Sequence, residues 1–425
     1  MTKTIKTVTL GCRVNQYETE YVRQGFERLG YRVAAKGEPV DLCIVNGCVV
    51  TAESEAKTRK AIRRLAKTHP QAEIVVMGCY AARAGDEAAA MPGVAEVVPD
   101  KRQLPDLLAR RGLIDVPTGI ARFDNRCRAY VKVQDGCRNH CSYCIIPTVR
   151  PYLASRPTSE VLGEVRRLIA HGHHEIVLTG IHLGRYGRHN VEDEGSPTTC
   201  LADLLRQITD LDGEFRVRLS SIEAAEVSPE LIALMAERRD RICPHLHVPL
   251  QSGSDTVLER MNRRWPVRRF VERCQEIRAA LDRPAFSTDV IVGFPGETES
   301  DFEATCRVVE EVGFSKVHVF RFSPRQGTPA AAMPKQVTNR IAQHRAGKLG
   351  GLGDSLRERF LRSLVGRELR VLVEMPLADR PGQMMGTSER YASVVLLGDC
   401  TLMGRFVAVR AARIENGRIR GHLTA

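Results

Sequence analysis

Three cysteines close together in the sequence are the residues with the clearest chemical potential. Cys137, Cys141 and Cys144 stand in the run Asp135-Gly-Cys-Arg-Asn-His-Cys-Ser-Tyr-Cys-Ile-Ile-Pro147, so one short loop carries three thiolates. Soft thiolate ligands select iron–sulfur clusters, zinc or Cu(I). Most iron–sulfur clusters take four cysteines, so a loop with three leaves one iron with an open position. Such an iron could bind and activate a small molecule.

A structural zinc site is the alternative for this loop. It requires a fourth ligand and usually a second Cys or His pair at close spacing, and the surrounding sequence offers neither. His140 would point the wrong way if its neighbour Cys141 is a ligand, because adjacent side chains diverge. The loop therefore favours a cluster over zinc.

Three further cysteines each follow a glycine at the end of a predicted strand. They occur as Gly11-Cys12, Gly47-Cys48 and Gly78-Cys79. The carboxyl ends of parallel strands lie along one edge of a sheet, where ligands bind, and glycine lets the backbone turn sharply there. We therefore predict a second set of three cysteines that meets in space. The others are assigned core or surface roles: Cys43, Cys127, Cys200, Cys243, Cys274, Cys306 and Cys400.

The elements that would position these cysteines alternate between strand and helix, which predicts an α/β fold. Strands are predicted at 5–10, 42–45 and 74–77, with helices at 15–29 and 51–67, a pattern typical of a parallel sheet. Six more β-rich runs follow, at 129–134, 175–179, 215–219, 245–249, 286–292 and 316–322. A helix at 340–360 and short strands at 368–374, 391–397 and 406–411 complete the prediction.

The composition is that of a folded protein with more than one domain. A chain of 425 residues predicts two or three domains. No apolar run reaches membrane-spanning length, the N-terminus has no apolar secretion core, and thirteen cysteines favour a reducing, cytoplasmic compartment. Lys and Arg exceed Asp and Glu by 63 − 51 = 12, which favours a polyanionic partner.

One predicted helix concentrates the positive charge. It lies just after Cys48 and carries six cations: Lys57, Arg59, Lys60, Arg63, Arg64 and Lys67. The plain interpretation is a solvated helix face. Because no acidic residue interrupts the run, we favour a surface that contacts phosphates of a nucleic acid.

Together these motifs resemble the radical S-adenosylmethionine (SAM) methylthiotransferases along nearly the whole chain. The resemblance is carried in order by the 11–20 run around Cys12, by Asn46-Gly-Cys48, by Gly78-Cys79 and by the loop with Tyr143. It implies an α/β domain at 1–115, a partial (β/α)6 barrel at 122–362 and a small RNA-binding β-barrel resembling the TRAM domain at 364–425.

The resemblance also implies two [4Fe-4S] clusters and SAM. The cluster on Cys137, Cys141 and Cys144 would reduce SAM to a 5′-deoxyadenosyl radical. The cluster on the other set, Cys12, Cys48 and Cys79, would supply or carry the sulfur, which a methyl group from another SAM caps. The implied SAM pocket comprises Tyr143, Thr179, Gly180, Glu223, Ile291 and Phe294. His182, His247 and Gln251 would either face this pocket or fill core positions.

Two runs, 11–16 and 179–187, resemble the branch that acts on threonylcarbamoyladenosine in tRNA. We therefore expect methylthiolation at C2 of that nucleoside at position 37, with isopentenyladenosine as the alternative substrate and an aspartate of a ribosomal protein as a third. A non-catalytic RNA-binding metalloprotein is the rival from another class. The expected partners are tRNA, an electron donor such as flavodoxin or ferredoxin, and a sulfur donor. The protein itself is expected to be a monomer that does not interact with membranes.

Two departures from the family pattern follow the loop. The family tends to show Arg-Gly-x-x-Arg-Ser-Arg, whereas this chain reads Arg150-Pro-Tyr-Leu-Ala-Ser-Arg156. Pro151 replaces the glycine and Ala154 the central arginine, which leaves the conformation of this segment open. Gly47 stands where a threonine is more usual, and this change is expected to be harmless.

Overall fold

The computed structural model describes residues 2–124, 126–188, 199–263 and 265–424. The chain forms two compact units. The first comprises residues 1–121, 130–164 and 323–331, and the second comprises 122–129, 165–322 and 332–425. The three domain ranges expected from the sequence stay a prediction.

The first unit contains a five-stranded, fully parallel sheet. Its strands are β1 (Thr4–Thr9), β2 (Arg32–Val33), β3 (Leu42–Gly47), β4 (Glu73–Gly78) and β5 (Val94–Val98), in the order β2-β1-β3-β4-β5. Its helices are α1 (Arg13–Arg28), α2 (Ala52–Thr68), α3 (Cys79–Arg83), α4 (Gly85–Ala89) and α5 (Leu104–Arg110). The predicted parallel sheet is confirmed, whereas β2 and β5 had not been predicted.

Local sequence explains why these elements form. Every residue of β3 is buried, as expected for a central strand covered on both faces. Helix α2 begins after Thr51, whose side chain accepts a hydrogen bond from the Ser54 N–H as an N-cap. Its residues Ile62 and Leu65 are buried in the core of the unit.

A short hairpin brackets the cysteine loop in the same unit. Strand β6 (Arg128–Asp135) pairs antiparallel with β7 (Ala154–Ser155), in a register that sets Asp135 opposite Ala154. Between them lies the single turn α6 (Ile146–Val149), and α7 (Thr158–Ala170) follows. The loop therefore starts and ends on paired backbone.

The second unit contains parallel strands that alternate with helices. The strands are β8 (Glu175–Gly180), β9 (Arg216–Leu219), β10 (His245–His247), β11 (Ala285–Val292) and β12 (Lys316–Arg321). The helices are α8 (Leu201–Thr209), α9 (Pro229–Glu237), α10 (Asp255–Arg260), α11 (Val267–Ala280) and α12 (Glu299–Val312). Strand β8 pairs with β9 and β11 pairs with both β10 and β12, all parallel, and a parallel bridge joins Ser221 to His247.

The second unit ends in a long helix and a closed barrel. Helix α13 (Asn339–Leu364) leads to β13 (Glu368–Pro376), β14 (Gln383–Ser388), β15 (Ser393–Leu397), β16 (Phe406–Glu415) and β17 (Arg418–Leu423). The barrel order is β13-β14-β15-β17-β16. Its core is aliphatic, with Val371, Val394 and Ile419 fully buried. Three of these strands had been predicted, and β14 and β17 had not.

None of the helices within the described residues combines the length and the apolar character that crossing a bilayer requires.

Candidate metal centres

Cys12, Cys48 and Cys79 come together at the carboxyl edge of the parallel sheet. Strand β1 pairs with β3 and β3 with β4, and the last pair in register is Gly47 with Gly78. Each cysteine directly follows its strand or the short turn after it, and Cys48 and Cys79 are buried. The Cys79 thiol is close enough to act electrostatically on the thiols of both Cys12 and Cys48. The predicted convergence of this set is therefore present in the structure.

Asn15, in the first turn of α1, ties the strand ends together. Its Nδ2 donates to the carbonyl oxygens of Leu10 (2.9 Å) and Gly47 (3.3 Å), and its Oδ1 lies 3.7 Å from Cys12 Sγ. Its own carbonyl accepts a 2.8 Å hydrogen bond from Asn46 Nδ2. Because one side chain bridges the two turns, the positions of Cys12 and Cys48 are coupled.

The glycines before these cysteines serve two different purposes. Gly11 has a φ of +107°, and a Cβ there would stand 2.9 Å from Cys48 Cβ, so only glycine fits beside that cysteine. Gly47 has no left-handed backbone, but a Cβ there would meet Tyr80 Cβ at 2.5 Å and Thr58 Cγ2 at 2.7 Å. Glycine at 47 is therefore required by the packing of this chain, where the sequence had indicated only a harmless change.

The loop of Cys137, Cys141 and Cys144 is held by its own backbone and by the segment that follows. The Cys144 N–H donates to the Cys141 carbonyl at 3.0 Å, and the Asn139 N–H lies 3.4 Å from Cys137 Sγ. The Cys137 N–H donates to the Arg150 carbonyl at 3.2 Å. All three cysteines are partly exposed.

Neither cysteine set holds its thiols as close together as the ligands of a single ion. Within the described residues, one set of three potential ligands has all its ligand atoms within 4.8 Å of one another, and neither cysteine set meets that distance. A zinc ion draws its ligands close, with Zn–S bonds of about 2.3 Å, whereas a cluster of several irons holds its thiolates farther apart. Burial raises the pKa of the Cys48 thiol, so a bound metal would have to displace its proton.

Arg150 stands at the centre of a buried charge network beside the Cys12 set. Its Nε lies 3.3 Å from Cys79 Sγ. Its Nη atoms donate to both carboxylate oxygens of Glu18 at 2.8 Å and to Asp135 Oδ1 at 2.8 Å. Lys132 Nζ also contacts Glu18 and Asp135, each at 3.1 Å. The side chains of Arg150 and Glu18 are 1% exposed, so these charges are shielded from water.

The network keeps its carboxylates ionised despite burial. Burial by itself would raise the pKa of Glu18, but the positive charges of Arg150 and Lys132 outweigh it and hold the pKa below its usual value. The pKa of Asp135 is lowered by the same two cations against the same opposing effect of burial. At neutral pH the two carboxylates of the network are therefore negatively charged and its two basic side chains are positively charged.

The second unit places the other predicted SAM-pocket residues near strand ends, whereas Tyr143 lies in the first unit. Thr179 and Gly180 end β8, Ile291 lies in β11, and Glu223 follows β9. Arg263 holds the Glu223 carboxylate through both of its oxygens, with Nη1 at 3.1 Å from Oε1. A carboxylate can accept about four hydrogen bonds, so Glu223 retains acceptor capacity for a hydroxyl.

The histidines proposed for the pocket have polar partners. His182 Nε2 lies 2.8 Å from a carboxylate oxygen of Glu226. His247 Nδ1 is 3.0 Å from Ser287 Oγ, and its Nε2 is 3.3 Å from Asp289 Oδ2. With His318, the residues His247 and Asp289 form the one compact ligand set found among the described residues. Sequence analysis missed Asp289 and His318, although the register that pairs them follows from neighbouring parallel strands.

Gln251 is the third residue, after His182 and His247, that the sequence assigned either to the SAM pocket or to the core. It has a φ of +66° and pairs by backbone with β11, where its N–H donates to the Asp289 carbonyl at 2.8 Å. A positive φ is uncommon for a residue other than glycine, so the backbone at this turn is constrained. The backbone of Gln251 is therefore held in place at the end of the segment that follows β10.

The six cations predicted to contact phosphate lie along α2. Five of them, Lys57, Lys60, Arg63, Arg64 and Lys67, are exposed, and Arg59 is partly exposed. Lys57 and Arg59 pair with Glu53 at 2.7 Å and Glu55 at 3.1 Å. In the part of the chain that the structure describes, the remaining four make no ion pair with an acidic side chain. These four are the cations available to an anionic partner.

Sequence analysis missed the residues that surround Cys79. It named Arg150 only as the first residue of the segment that departs from the family pattern, and it gave no role to Glu18 or Lys132. The available signal was the spacing of Cys12, Asn15 and Glu18, which puts the three on one face of a helix. In the segment that departs from the family pattern, Ala154 is exposed in β7. Arg156, which the family pattern also has, contacts Glu164 and the Tyr17 hydroxyl.

Comparisons with known families agree with this division of the sites. The Radical SAM superfamily model matches residues 131–309, which include the loop and strands β8 to β11. A second model, described as uncharacterized protein family UPF0004, matches residues 4–99, which include Cys12, Cys48 and Cys79. Each cysteine set thus falls within its own family match.

Relatives cover nearly the whole chain. The chain is 37% identical to threonylcarbamoyladenosine tRNA methylthiotransferase MtaB of Bacillus subtilis over 96% of its length and 93% of that protein. It is 37% identical to the Thermotoga maritima protein of the same name over 97% of its length and 95% of that protein. It is 32% identical to tRNA-2-methylthio-N(6)-dimethylallyladenosine synthase of Moorella thermoacetica, over 99% of its length and 98% of that protein.

A solved structure is similar in fold. It is the radical S-adenosylmethionine methyltransferase TsrM from Kitasatospora setae, with a TM-score of 0.54 and 15% sequence identity. The match covers 78% of this chain and 77% of that chain. At that identity the likeness concerns the fold alone. With relatives of 32–37% identity over nearly its full length, the chain belongs to the radical SAM tRNA methylthiotransferase family.

Proposed function

We propose that this protein is a tRNA methylthiotransferase that attaches a methylthio group to C2 of N6-threonylcarbamoyladenosine at position 37. The observation that carries the proposal is the meeting of Cys12, Cys48 and Cys79 at one sheet edge, in the unit that also holds the loop of Cys137, Cys141 and Cys144. One three-cysteine loop serves to activate SAM. A second three-cysteine set beside a sheet edge supports an additional cluster, as sulfur insertion requires.

The chain's residues then divide the work. Cys137, Cys141 and Cys144 would hold one [4Fe-4S] cluster, which would supply the site where SAM is activated. Cys12, Cys48 and Cys79 would hold the second cluster. When bound, the clusters and SAM supply the radical chemistry and the sulfur, and the protein binds, orients and excludes side reactions. Thr179 and Gly180 would face the methionine end of SAM, Glu223 would accept from its ribose, and Ile291 would pack on its adenine. Tyr143 would support the cysteine loop.

The relatives favour the threonylcarbamoyl nucleoside as substrate. Two proteins named for that substrate are 37% identical to this chain, whereas relatives named for dimethylallyladenosine are 30–34% identical. Isopentenyladenosine, the other name for that modified base, is the second candidate.

The tRNA partner is supported by the basic helix α2. Its four cations without an acidic partner, Lys60, Arg63, Arg64 and Lys67, can each contact a phosphate, and such contacts fix the register of a nucleic acid without reading its sequence. The C-terminal barrel, which we assign as a TRAM-like module, adds a second RNA contact. We further propose a cytoplasmic monomer that receives electrons from a flavodoxin or ferredoxin and sulfur from a separate donor.

The decisive experiment is nucleoside mass spectrometry of total tRNA from the source cell with and without the gene. Loss of the methylthio form of threonylcarbamoyladenosine alone is the expected result. Loss of the isopentenyl counterpart would assign the second substrate, and an unchanged nucleoside profile would exclude a tRNA substrate and direct attention to a ribosomal protein.

Serine variants separate the enzyme from a non-catalytic RNA-binding metalloprotein. Replacing Cys137, Cys141 and Cys144 together should abolish SAM cleavage and leave the far-ultraviolet circular dichroism spectrum unchanged. The matched control is Cys400→Ser, an exposed cysteine outside both sets, which should restore the nucleoside in the deletion strain. A parent protein that cleaves no SAM, and a triple variant that unfolds, would instead identify the metalloprotein.

A further inference from the structure

We propose that Arg150 is a positioning residue for the second cluster: its guanidinium holds the Cys79 sulfur in ligating geometry and raises the reduction potential of the cluster bound there. The inference rests on the proposed function, since it requires Cys79 to be a cluster ligand. Cys79 is one of the three cysteines assigned to that cluster, and Arg150 Nε lies 3.3 Å from its Sγ.

Every N–H of the Arg150 guanidinium has an acceptor. A guanidinium carries five donors in a fixed plane. Nη1 donates to Glu18 at 2.8 Å and Asp135 at 2.8 Å, and Nη2 donates to Glu18 at 2.8 Å and Asn15 at 3.0 Å. The fifth donor, Nε–H, is directed at Cys79 Sγ. Because oxygen acceptors fix the other four, the guanidinium cannot turn away from the sulfur.

The sulfur contact suits a metal-bound thiolate better than a free thiol. A neutral thiol is a weak acceptor, and burying a guanidinium donor against it gains little. A hydrogen bond to an ionised partner is shorter and about twice as strong. Hydrogen bonds to cluster sulfurs and nearby positive charge are established levers on reduction potential. The N–H directed at Cys79 Sγ is therefore placed to stabilise the reduced, more negative state of a cluster.

Arg150 supplies one of the positive charges beside Cys79. Arg150 and Lys132 pair with Glu18 and Asp135, and Lys101 also interacts electrostatically with Cys79 and Arg150. Removal of Arg150 takes away one positive charge beside the sulfurs and also removes the hydrogen bond to Cys79. Both changes make the reduction of a neighbouring cluster less favourable.

Arg150 also belongs to the loop that binds the first cluster. Its carbonyl accepts the Cys137 N–H at 3.2 Å, and its side chain contacts Asp135 two residues before that cysteine. The same residue therefore contacts a ligand of each cysteine set, through its main chain on one side and its side chain on the other. A shift of Arg150 would displace both sets together, which couples their positions.

The test is an EPR-monitored redox titration of the reconstituted holoenzyme. The triple serine variant of Cys137, Cys141 and Cys144 lacks the ligands of the loop cluster, so its remaining signal identifies the potential of the second cluster. Arg150→Met should make the reduction of the second cluster at least tenfold less favourable, about 59 mV more negative for one electron. Arg150→Lys keeps a charge but loses the fixed N–H directed at sulfur. It serves as the second variant if Arg150→Met does not fold, and should also shift the potential negatively, by less.

The matched control is Arg345→Met in the second unit. The Arg345 side chain is similarly buried, at 5% exposed, but its guanidinium is committed to Glu297 and Glu299. This variant should lose thermal stability and leave both potentials unchanged. Equal potentials in the parent and both Arg150 variants, at full iron content, would overturn the proposal. Iron for one cluster only in the parent protein would instead refute the second cluster of the proposed function, before any variant is compared.

Discussion

Two groups of buried charge, one in each compact unit, are built from the same residue types and differ in what their arginines contact. In the first unit, Arg150 lies between two carboxylates and directs one donor to the Cys79 sulfur. In the second, Glu175 lies between Arg216 and Arg218, with the three side chains at most 2% exposed. The first group ends at a candidate metal ligand and the second does not.

In the second group, among the residues that the structure describes, the arginines donate hydrogen bonds only to oxygen atoms. Arg216 donates to the carbonyls of Arg370 (2.6 Å) and Thr387 (2.8 Å), and Arg218 donates to that of Glu389 at 3.0 Å. These carbonyls belong to the C-terminal barrel or to the turn after β14, so the group fastens that barrel to the strands before it.

A nearby cysteine shows why contact matters more than proximity. Burial raises the pKa of the Cys243 thiol, and the charges of Arg218 and Arg216 offset this only in part. Cys243 receives no donor from either arginine in the described structure and lies in neither cysteine set. A buried cation near a thiol is therefore structural unless an N–H is aimed at the sulfur.

Glu175→Gln should give the largest effect. It leaves two buried guanidiniums without a counter-charge, and breaking a buried pair in this way costs about 3–5 kcal/mol. A large fall in the thermal unfolding midpoint is expected, with unchanged cluster potentials in the protein that remains folded. A shift of either potential comparable to that of Arg150→Met would break the distinction between the two groups.

Glu18→Gln should cost less stability and shift a potential in the opposite direction. The change removes one negative charge beside the sulfurs, and hydrogen bonds to charged groups are worth about 1.5–3 kcal/mol. The second cluster should become easier to reduce, as measured in the same redox titration. Glu20→Gln is the control in the same helix, because Glu20 is buried against Arg23 and Gln24 instead. A negative shift in Glu18→Gln would contradict the electrostatic argument.

The acid stability of the second group provides a smaller test. Burial by itself would raise the pKa of Glu175, but Arg218 and Arg216 outweigh it and hold the pKa well below its usual value. A lowered folded-state pKa stabilises the protein above the unfolded pKa of about 4.3, and this contribution is lost as pH falls through the folded value.

The free energy of unfolding of the parent should therefore fall as pH is lowered below about 5. The free energy of unfolding of the Glu175→Gln variant should fall less steeply with decreasing pH. The difference in slope should be up to about 1.4 kcal/mol per pH unit, the value for one proton. Urea unfolding followed by circular dichroism measures both slopes, and any acid loss of clusters is common to the two proteins. Parallel slopes would show that Glu175 does not titrate between the folded and unfolded states.

The smallest effect is expected at an exposed pair. Arg268 lies on the surface of α11 at 2.8 Å from Glu272, with a side chain that is 87% exposed. Exposed ion pairs contribute little because water screens them. Arg268→Gln should leave the thermal midpoint and both potentials unchanged, and a measurable loss of stability would show that exposure is a poor guide to these charges.

Much of the fold followed from local sequence. The alternation of apolar strands with helices predicted β1, β3, β4, β6 and the strands from β8 to β12, because periodicity and apolar runs are short-range signals. Strands β2, β5, β7, β14 and β17 were missed. In β17, for example, Arg418, Arg420 and His422 alternate with smaller or apolar residues, and only closure of the barrel decides that this polar segment pairs.

The cysteine sets were also readable from the sequence. The loop of Cys137, Cys141 and Cys144 is defined by its spacing, and the Gly-Cys endings at 12, 48 and 79 are brought together by the rule that parallel strands end at one edge. Their convergence therefore needed only the sheet to be right.

Only the tertiary structure decided which charges these thiols contact. Arg150 and Glu18 are 132 residues apart, and Cys79 is 71 residues from Arg150. A sequence of 425 residues with 63 cations gives no sign of which guanidinium will be buried or aimed at a sulfur. Spacing along the chain determines ligands on one loop or one sheet edge, whereas the direction of a side-chain donor depends on every neighbour that packs around it.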